Sequence, residues 1–429
     1  MSLDSLASSM AHFRITGGVP LRGTVRASGS KNAALPMMAA AILAEGPVRL
    51  EGVPQLSDVR TLASVLAHLG VEASWTPDEV LCLQTVDPAP IRAGYDLVRR
   101  MRASFCVLGP LLARRGRAIV SLPGGCNIGA RPVDLHLRGL EALGATLRVK
   151  GGYVLARCRR LVGASIHLAG PQGSTVTGTA NVLCAAVRAK GTTILTGAAV
   201  EPEIVDLGSF LRRLGARIEG LGTPTLRIEG VEHLGAATYR VIPDRIEAAT
   251  LLLAAVITRG SATVTGVVPA HLTAVLEALD RSGAKIEVGD DWISIAADGP
   301  PKPIDIVARP YPGIPTDVQA QFTALACLAL GLSTVGDQVF AHRFRHVAEL
   351  NRLGARIWWS DSTATIQGVD RLTGATVTAS DLRASAALVL AGLAAEGHTV
   401  VRRIRHLDRG YQRLDEKLNR LGARIERST

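Results

Sequence analysis

A helix-ending tripeptide recurs six times in this chain, and its spacing constrains the fold more than any other feature. Leu69-Gly70-Val71, Leu143-Gly144-Ala145, Leu214-Gly215-Ala216, Ser282-Gly283-Ala284, Leu353-Gly354-Ala355 and Leu421-Gly422-Ala423 place their glycines 74, 71, 68, 71 and 68 residues apart. Each closes an amphipathic helical pattern, such as 133–143 or 207–214, and precedes a strand-like run such as Arg217-Ile218-Glu219 or Arg356-Ile357-Trp358. A glycine at that point predicts a left-handed helix C-cap, a conformation that residues with a Cβ resist. A second series runs in step. Apolar, small-residue stretches near 33–44, 103–113, 179–187, 248–257, 318–330 and 384–395 are hydrophobic nearly all round, which predicts helices buried on every side. Six units follow, each with one buried helix, one amphipathic helix and several short strands.

Units of about 70 residues are too long for a standard solenoid, so two compact domains of three units each are the economical solution. The length of 429 residues also exceeds what one core normally supports. The boundary falls between Gly220 and Pro243, where Thr223-Pro224 and Gly235-Ala-Ala-Thr238 mark turns. The division is residues 1–30 plus 243–429 as one domain, the amino-terminal strand joining repeats 4–6. Residues 31–242, repeats 1–3, form the other. A cleft between two such halves is where a small-molecule site is expected. Only 3% of residues are aromatic and 44 are glycine, so the cores must be built from Ala, Leu, Val and Ile with close backbone contacts.

Composition excludes several function classes. The longest apolar stretches are about 10 residues, too short to span a bilayer. Residues 1–10 carry Asp4 and lack the basic region of an export signal, and the six cysteines are scattered with no CxxC pair. A reducing cytoplasm is implied, without a disulfide frame, zinc site or membrane association. The net charge of +11 points to anionic partners, yet only six of the 48 basic residues are lysines. No stacking aromatics interleave with them, so small phosphorylated substrates fit better than nucleic acid.

Four constellations carry chemistry. Leu122-Pro-Gly-Gly-Cys126-Asn-Ile-Gly-Ala-Arg131 sets a thiol on a glycine-flanked turn near a cation that lowers its pKa, suiting a proton donor or nucleophile; an ordinary surface loop is the bland alternative. Lys31-Asn32 opens the first buried helix, where backbone amides and an ammonium make an anion site. Arg102 and Arg383 open buried helices at matching points of two repeats, and Arg409 sits in Asp408-Arg-Gly-Tyr411. Asp317, ahead of the fifth buried helix, is either an N-cap or a proton acceptor for a substrate hydroxyl. Asp244 holds the corresponding place in the fourth repeat.

GSKNAALP (29–36), MRAS (101–104), LPGGCNIGARPVDLH (122–136), EPEIVDL (201–207), PDRIE (243–247), PTDVQAQF (315–322), DLRASAALVLAG (381–392) and HLDRGYQR (406–413) occur in this order. Together they resemble the UDP-N-acetylglucosamine 1-carboxyvinyltransferase family of enolpyruvyl transferases, over residues 13–427. The resemblance implies an α/β fold of two inside-out, barrel-like domains, each of three pseudo-repeats with buried parallel helices and outer sheets. It implies transfer of enolpyruvyl from phosphoenolpyruvate to the 3-hydroxyl of UDP-N-acetylglucosamine, an early step of peptidoglycan synthesis, with no metal or cofactor. Lys31, Arg131 and Arg409 match phosphoenolpyruvate contacts, and Arg102 and Arg383 complete the basic cleft. Asp317 matches the hydroxyl's proton acceptor, and Cys126 the loop thiol that protonates the donor's methylene carbon. Asn32, the segment Arg131, Pro132, Val133, Asp134 and Leu135, and Val339 with Arg343 match contacts to the nucleotide sugar.

Two positions depart from the family pattern. Thr175-Val176-Thr177 stands where a Ser-Val-Gly turn usually meets the diphosphate, and Tyr311 stands where a histidine often precedes Pro-Thr-Asp. Thr177 removes a glycine at a close backbone approach and keeps two alternatives open. One is a sibling transferase using another nucleotide such as UMP; the other is a catalytically silent nucleotide-sugar-binding paralogue.

Overall fold

The computed structural model describes residues 11–123, 133–171 and 173–428, which form two compact units. One holds residues 11–28 and 243–428; the other holds the described residues from 29 to 242. All six repeat glycines have positive φ, from +73° at Gly70 to +111° at Gly215. They close the amphipathic helices Ser57–His68, Asp134–Ala142, Pro202–Arg213, Thr273–Arg281, His346–Arg352 and Leu414–Arg420.

The apolar runs form six central helices: α1 (Lys31–Ala40), α2 (Leu108–Arg115), α3 (Val176–Ala186), α4 (Arg245–Ile257), α5 (Gln319–Ala326) and α6 (Leu382–Ala394). Every residue of α4 is buried, as its unbroken apolar character requires. Two of the predicted runs are broken. Residues 102–107 form a 3₁₀ turn and α2 begins only at Leu108. An α-helix continuous from Arg102 would need an N–H from Pro110 for the Cys106 carbonyl; starting at Leu108 puts Pro110 in the first turn, where none is needed. The run 318–330 likewise begins in a 3₁₀ turn, Thr316–Val318, and its helix stops at Ala326. Gly331, at φ +137°, then turns the chain into the strand Leu332–Asp337.

Within each unit the central helices pack on one another. A Cβ at Gly109 of α2 would lie 2.1 Å from the Asn181 carbonyl oxygen of α3, so this crossing requires glycine. Like ends lie together. Glu45, just past the end of α1, pairs with Arg114 in the last turn of α2 (2.9 Å) and Arg188 beyond α3 (3.7 Å). At the opposite kind of end, Asp317 ahead of α5 meets Arg383 in the first turn of α6. The helices of each unit are therefore parallel, and their positive dipole ends are grouped.

Each unit carries three four-stranded sheets of one design: a connector strand parallel to the strand after the central helix, which pairs antiparallel with one of two antiparallel strands, a hairpin in five of the six described sheets. Asp305–Ala308 lies parallel to Leu332–Asp337, which pairs antiparallel with Thr363–Gln367, and that strand with Arg356–Ser360. The amino-terminal strand His12–Thr16 completes the sixth sheet, His12 opposite Arg402 on one side and Ser428 on the other. Alternating burial along strands such as Ser261–Thr265 turns one face inward. The described sheets are open, none closed into a barrel, so each unit is inside-out through three separate sheets. Two cores result, one around Ile15, Val256, Phe322 and Leu390, the other around Met37, Phe105, Val182 and Phe210.

Candidate functional site

In the unit of residues 243–428 the three central helices begin at three aspartates with different duties. Asp244 caps α4 through the Ile246 and Glu247 N–H groups, and Asp381 caps α6 through those of Arg383 and Ala384. The helix α5 has no side-chain cap. Asp317 instead points its carboxylate at two guanidinium groups, Oδ1 at 2.8 Å from Arg343 Nη1 and Oδ2 at 2.9 Å from Arg383 Nη2. Burial alone would raise this carboxyl, but the charges of Arg383 and Arg343, with their hydrogen bonds, hold it well below the usual carboxylate range. The site thus presents an ionised, acceptor-only carboxylate.

A polar layer holds that pair in place. Arg383 is 1% exposed and lies 5.1 Å above the Tyr411 ring, and its Nε and Nη1 have no hydrogen-bond acceptor among the described residues. The Tyr411 hydroxyl meets Thr250 Oγ1 (3.0 Å) and Gln321 Nε2 (3.1 Å), and Gln321 also donates to the Asp317 carbonyl (3.0 Å). Arg343 also donates to Thr316 Oγ1 (3.0 Å), whose proton goes to Asp337. Asp337 accepts in turn from the Val339 and Phe340 N–H groups, so Val339 is tied to the same turn as Arg343. Arg409 closes the 3₁₀ turn Ile404–Arg409, half-buried, two residues before Tyr411. Tyr311 receives the Arg245 guanidinium over its ring at 5.5 Å.

In the other unit Lys31 is the first residue of α1, behind the Ser30 cap, and Asn32 follows it. Lys31 is 8% exposed, and its ammonium lies 3.2 Å from Asp58 Oδ2. The expected free anion site at this helix start therefore includes an internal carboxylate. Arg102, expected to open a buried helix, instead begins the 3₁₀ turn Arg102–Val107 that precedes α2. Val133, Asp134 and Leu135 open the helix Asp134–Ala142, with Asp134 exposed. Thr175 is the N-cap of α3, Val176 its first residue and Thr177 its second. The Thr177 hydroxyl lies 3.2 Å from His136 Nε2, whose Nδ1 is 3.1 Å from Asn181 Nδ2.

The structure thus joins Asp317, Arg343, Arg383 and Val339 in one unit, and sets Lys31, Asn32, Arg102, 133–135 and 175–177 at helix starts of the other. Cys126, Arg131 and Pro132 lie outside the described residues. Sequence reasoning missed Thr250 and Gln321 as polar positions inside apolar helices, and it missed His136 and Asn181. Their signal was available: a polar side chain on a helix buried all round must have a partner.

The sequence matches the family model described as EPSP synthase (3-phosphoshikimate 1-carboxyvinyltransferase) over residues 15–418. It is 53% identical over 417 residues to UDP-N-acetylglucosamine 1-carboxyvinyltransferase of Anaeromyxobacter sp. (strain Fw109-5), covering 96% of this chain and 98% of that protein. It is 49% identical to the protein of the same name from Halorhodospira halophila, covering 97% and 99%. Among solved structures it is similar to the enolpyruvyl transferase NikO from Streptomyces tendae, with a TM-score of 0.87, 30% identity and coverage of 98% and 99%. An EPSP synthase from Acinetobacter baumannii shares the fold, with a TM-score of 0.74, 19% identity and coverage of 98% and 100%.

Proposed function

The chain belongs to the EPSP synthase family, and from that premise we propose that it transfers enolpyruvyl from phosphoenolpyruvate to the 3-hydroxyl of UDP-N-acetylglucosamine, releasing phosphate. The observation that carries the acceptor is the 53% identity, spread over 96% of the chain, to a protein named for that reaction. In this reading the enzyme works in the cytoplasm at the first committed step of peptidoglycan synthesis. No helix among the described residues is long and apolar enough to cross a membrane.

The chemistry has two steps. The sugar oxygen bonds to C2 of the donor while C3 gains a proton and the hydroxyl loses one. C3 then gives up a proton and the C2–O bond to phosphate breaks, restoring the double bond. Cys126 is assigned the proton delivered to C3, and Asp317 the hydroxyl proton. A carboxylate held low by two arginines is a weak base, so it takes that proton as the C–O bond forms, when the oxygen becomes strongly acidic. Lys31, Arg131 and Arg409, with Arg102 and Arg383 completing the basic cleft, are assigned the positive charge for the donor's phosphate and carboxylate. Neither step requires a redox change, and no metal or cofactor enters this reading.

Measuring phosphate release from phosphoenolpyruvate with UDP-N-acetylglucosamine, and separately with UMP, tests the proposal. Preference for the nucleotide sugar is expected. Strong preference for UMP, or sugar binding without phosphate release, sinks it.

A further inference from the structure

We propose that Tyr411 is a positioning residue for the transfer: its phenol fixes both halves of the Asp317–Arg383 pair, so that the carboxylate meets the acceptor hydroxyl in one orientation. This rests on the reaction proposed above. The residues concerned all belong to the unit of residues 243–428, and Thr250, Gln321, Arg383 and Tyr411 are each 1% exposed or less. Polar groups at that depth must be partnered, and the partners available fix which way the protons point.

Two backbone carbonyls set the directions. The Thr250 hydroxyl donates to the Ile246 carbonyl at 2.8 Å, which uses its only proton. Toward the Tyr411 oxygen, 3.0 Å away, Thr250 can then only accept, so the phenol is the donor of that bond. The Asp317 carbonyl, an acceptor, lies 3.0 Å from Gln321 Nε2 and fixes the amide with its NH₂ toward it. The second hydrogen of that NH₂ is left for the Tyr411 and Thr250 oxygens, each at 3.1 Å. The phenol thus gives a proton to α4 and accepts from α5. Its ring is pinned in the plane over which the Arg383 guanidinium lies, 5.1 Å from the ring centre.

Asp317 and Arg383 therefore share one reference. Arg383 Nη2 holds the Asp317 carboxylate at 2.9 Å, and the face of Tyr411 supports Arg383. Through Gln321 the same phenol holds the Asp317 main chain. The repeat supplies an internal control. Four residues beyond the matching aspartates stand Ala248 in α4, Gln321 in α5 and Ser385 in α6. Ser385 bonds back to the Asp381 carbonyl at 2.6 Å, and Ala248 has no polar group with which to do so. Of the three, only the helix at the chemical aspartate carries a side chain long enough to join that aspartate's turn to the phenol. Capping and core filling need no such reach.

Steady-state phosphate release with UDP-N-acetylglucosamine in Tyr411→Phe, which keeps the ring and loses the hydroxyl, tests the role. A loosened frame around the carboxylate predicts kcat lower by about ten-fold, with KM for the nucleotide sugar within about two-fold. Thr250→Val should fall as Tyr411→Phe does, while Thr250→Ser, which keeps the hydroxyl, should stay within about two-fold of native. The decisive readout is a double-mutant cycle. In Asp317→Asn, which has lost the proton acceptor, adding Tyr411→Phe should change kcat by less than about two-fold, because Tyr411 acts through Asp317. The full ten-fold loss in that background overturns the proposal, as does a native kcat in Tyr411→Phe. Should Tyr411→Phe not fold, Thr250→Val in the same cycle decides by the same criterion. If native enzyme fails to turn over UDP-N-acetylglucosamine, the acceptor assignment falls and this proposal with it. If native enzyme is active and only the cycle fails, the function stands and the positioning role alone is refuted.

Discussion

Replacing Lys417 by methionine isolates the consequence of a buried charge. Lys417 Nζ lies 2.8 Å from each oxygen of Glu247 and 2.6 Å from Ser28 Oγ. Glu247 is 1% exposed and also accepts from the Ser28 N–H, at the last residue before the chain enters the other unit. Burial raises this carboxyl, against the pull of Lys417 and the Ser28 N–H. Without Lys417 the carboxylate has lost its counter-ion, and a buried unpaired charge costs about 3–5 kcal/mol. Protonation limits the loss. Taking up a proton from an unfolded-state pKa of about 4.3 costs about 1.4 kcal/mol per pH unit, hence roughly 4 kcal/mol at pH 7 and roughly 1 kcal/mol at pH 5.

The sign follows from proton uptake. A carboxyl whose folded pKa is raised binds protons that the unfolded chain has released, so its contribution to stability falls as pH rises above the ordinary carboxylate range. Lys417→Met raises Glu247 further and steepens that fall. The variant should therefore melt about 5–15 °C below the native protein at pH 7 and approach it at pH 5. Adding Glu247→Gln should recover most of the loss at pH 7. Urea unfolding followed by circular dichroism, at several values between pH 5 and 8, reads both effects. A pH-independent gap, or a double variant no more stable than the single one, would refute the assignment of the cost to Glu247.

Three further outcomes are expected. Asp317→Asn should lower kcat by about 100-fold or more while changing KM for the nucleotide sugar only a few-fold; the reverse pattern in steady-state kinetics would make Asp317 a ligand contact alone. An epoxide phosphonate mimic of the donor should alkylate Cys126, and Cys126→Ser should largely abolish turnover. Burial pushes the Cys184 thiol far above its ordinary value and the Cys327 thiol up to about 12, so an adduct on either in peptide mass spectrometry would count against Cys126. Asp206, pushed up to about 6 by burial against its bonds from Tyr239 and Ile242, should favour the folded state less as pH rises from about 4 to about 6. Unfolding of Asp206→Asn over that range should lack this part of the fall, so the native chain should lose roughly 2–3 kcal/mol relative to the variant; parallel pH curves would contradict it.

What the sequence made legible is what depends on residues near one another in the chain. The six glycines could be read because a left-handed cap leaves its mark at a fixed offset from an amphipathic pattern. The central helices could be read because a helix buried on all sides must be apolar on all sides. The break before α2 was equally local, since Pro110 was in view, but an apolar pattern alone does not say where a helix restarts. The partners of the site residues were not legible. Lys31 meets Asp58 from a different helix, and Asp317 meets Arg343 and Arg383 from two later segments. No periodicity encodes such pairs; they exist only once three parallel helices bring their amino ends together.

The same reasoning explains why three aspartates at matching helix starts could not be ranked from sequence. Each is compatible with capping, which needs only the backbone N–H groups two or three residues ahead. Asp244 and Asp381 have those amides as partners. Asp317 lies within the 3₁₀ turn Thr316–Val318, and two guanidinium groups reach its carboxylate. A repeat thus supplies three equivalent positions, and the residues that differ around each one decide which becomes chemical. At Thr177 the hydroxyl lies 3.2 Å from His136 Nε2, a partner on a neighbouring helix that no pattern in the sequence encodes.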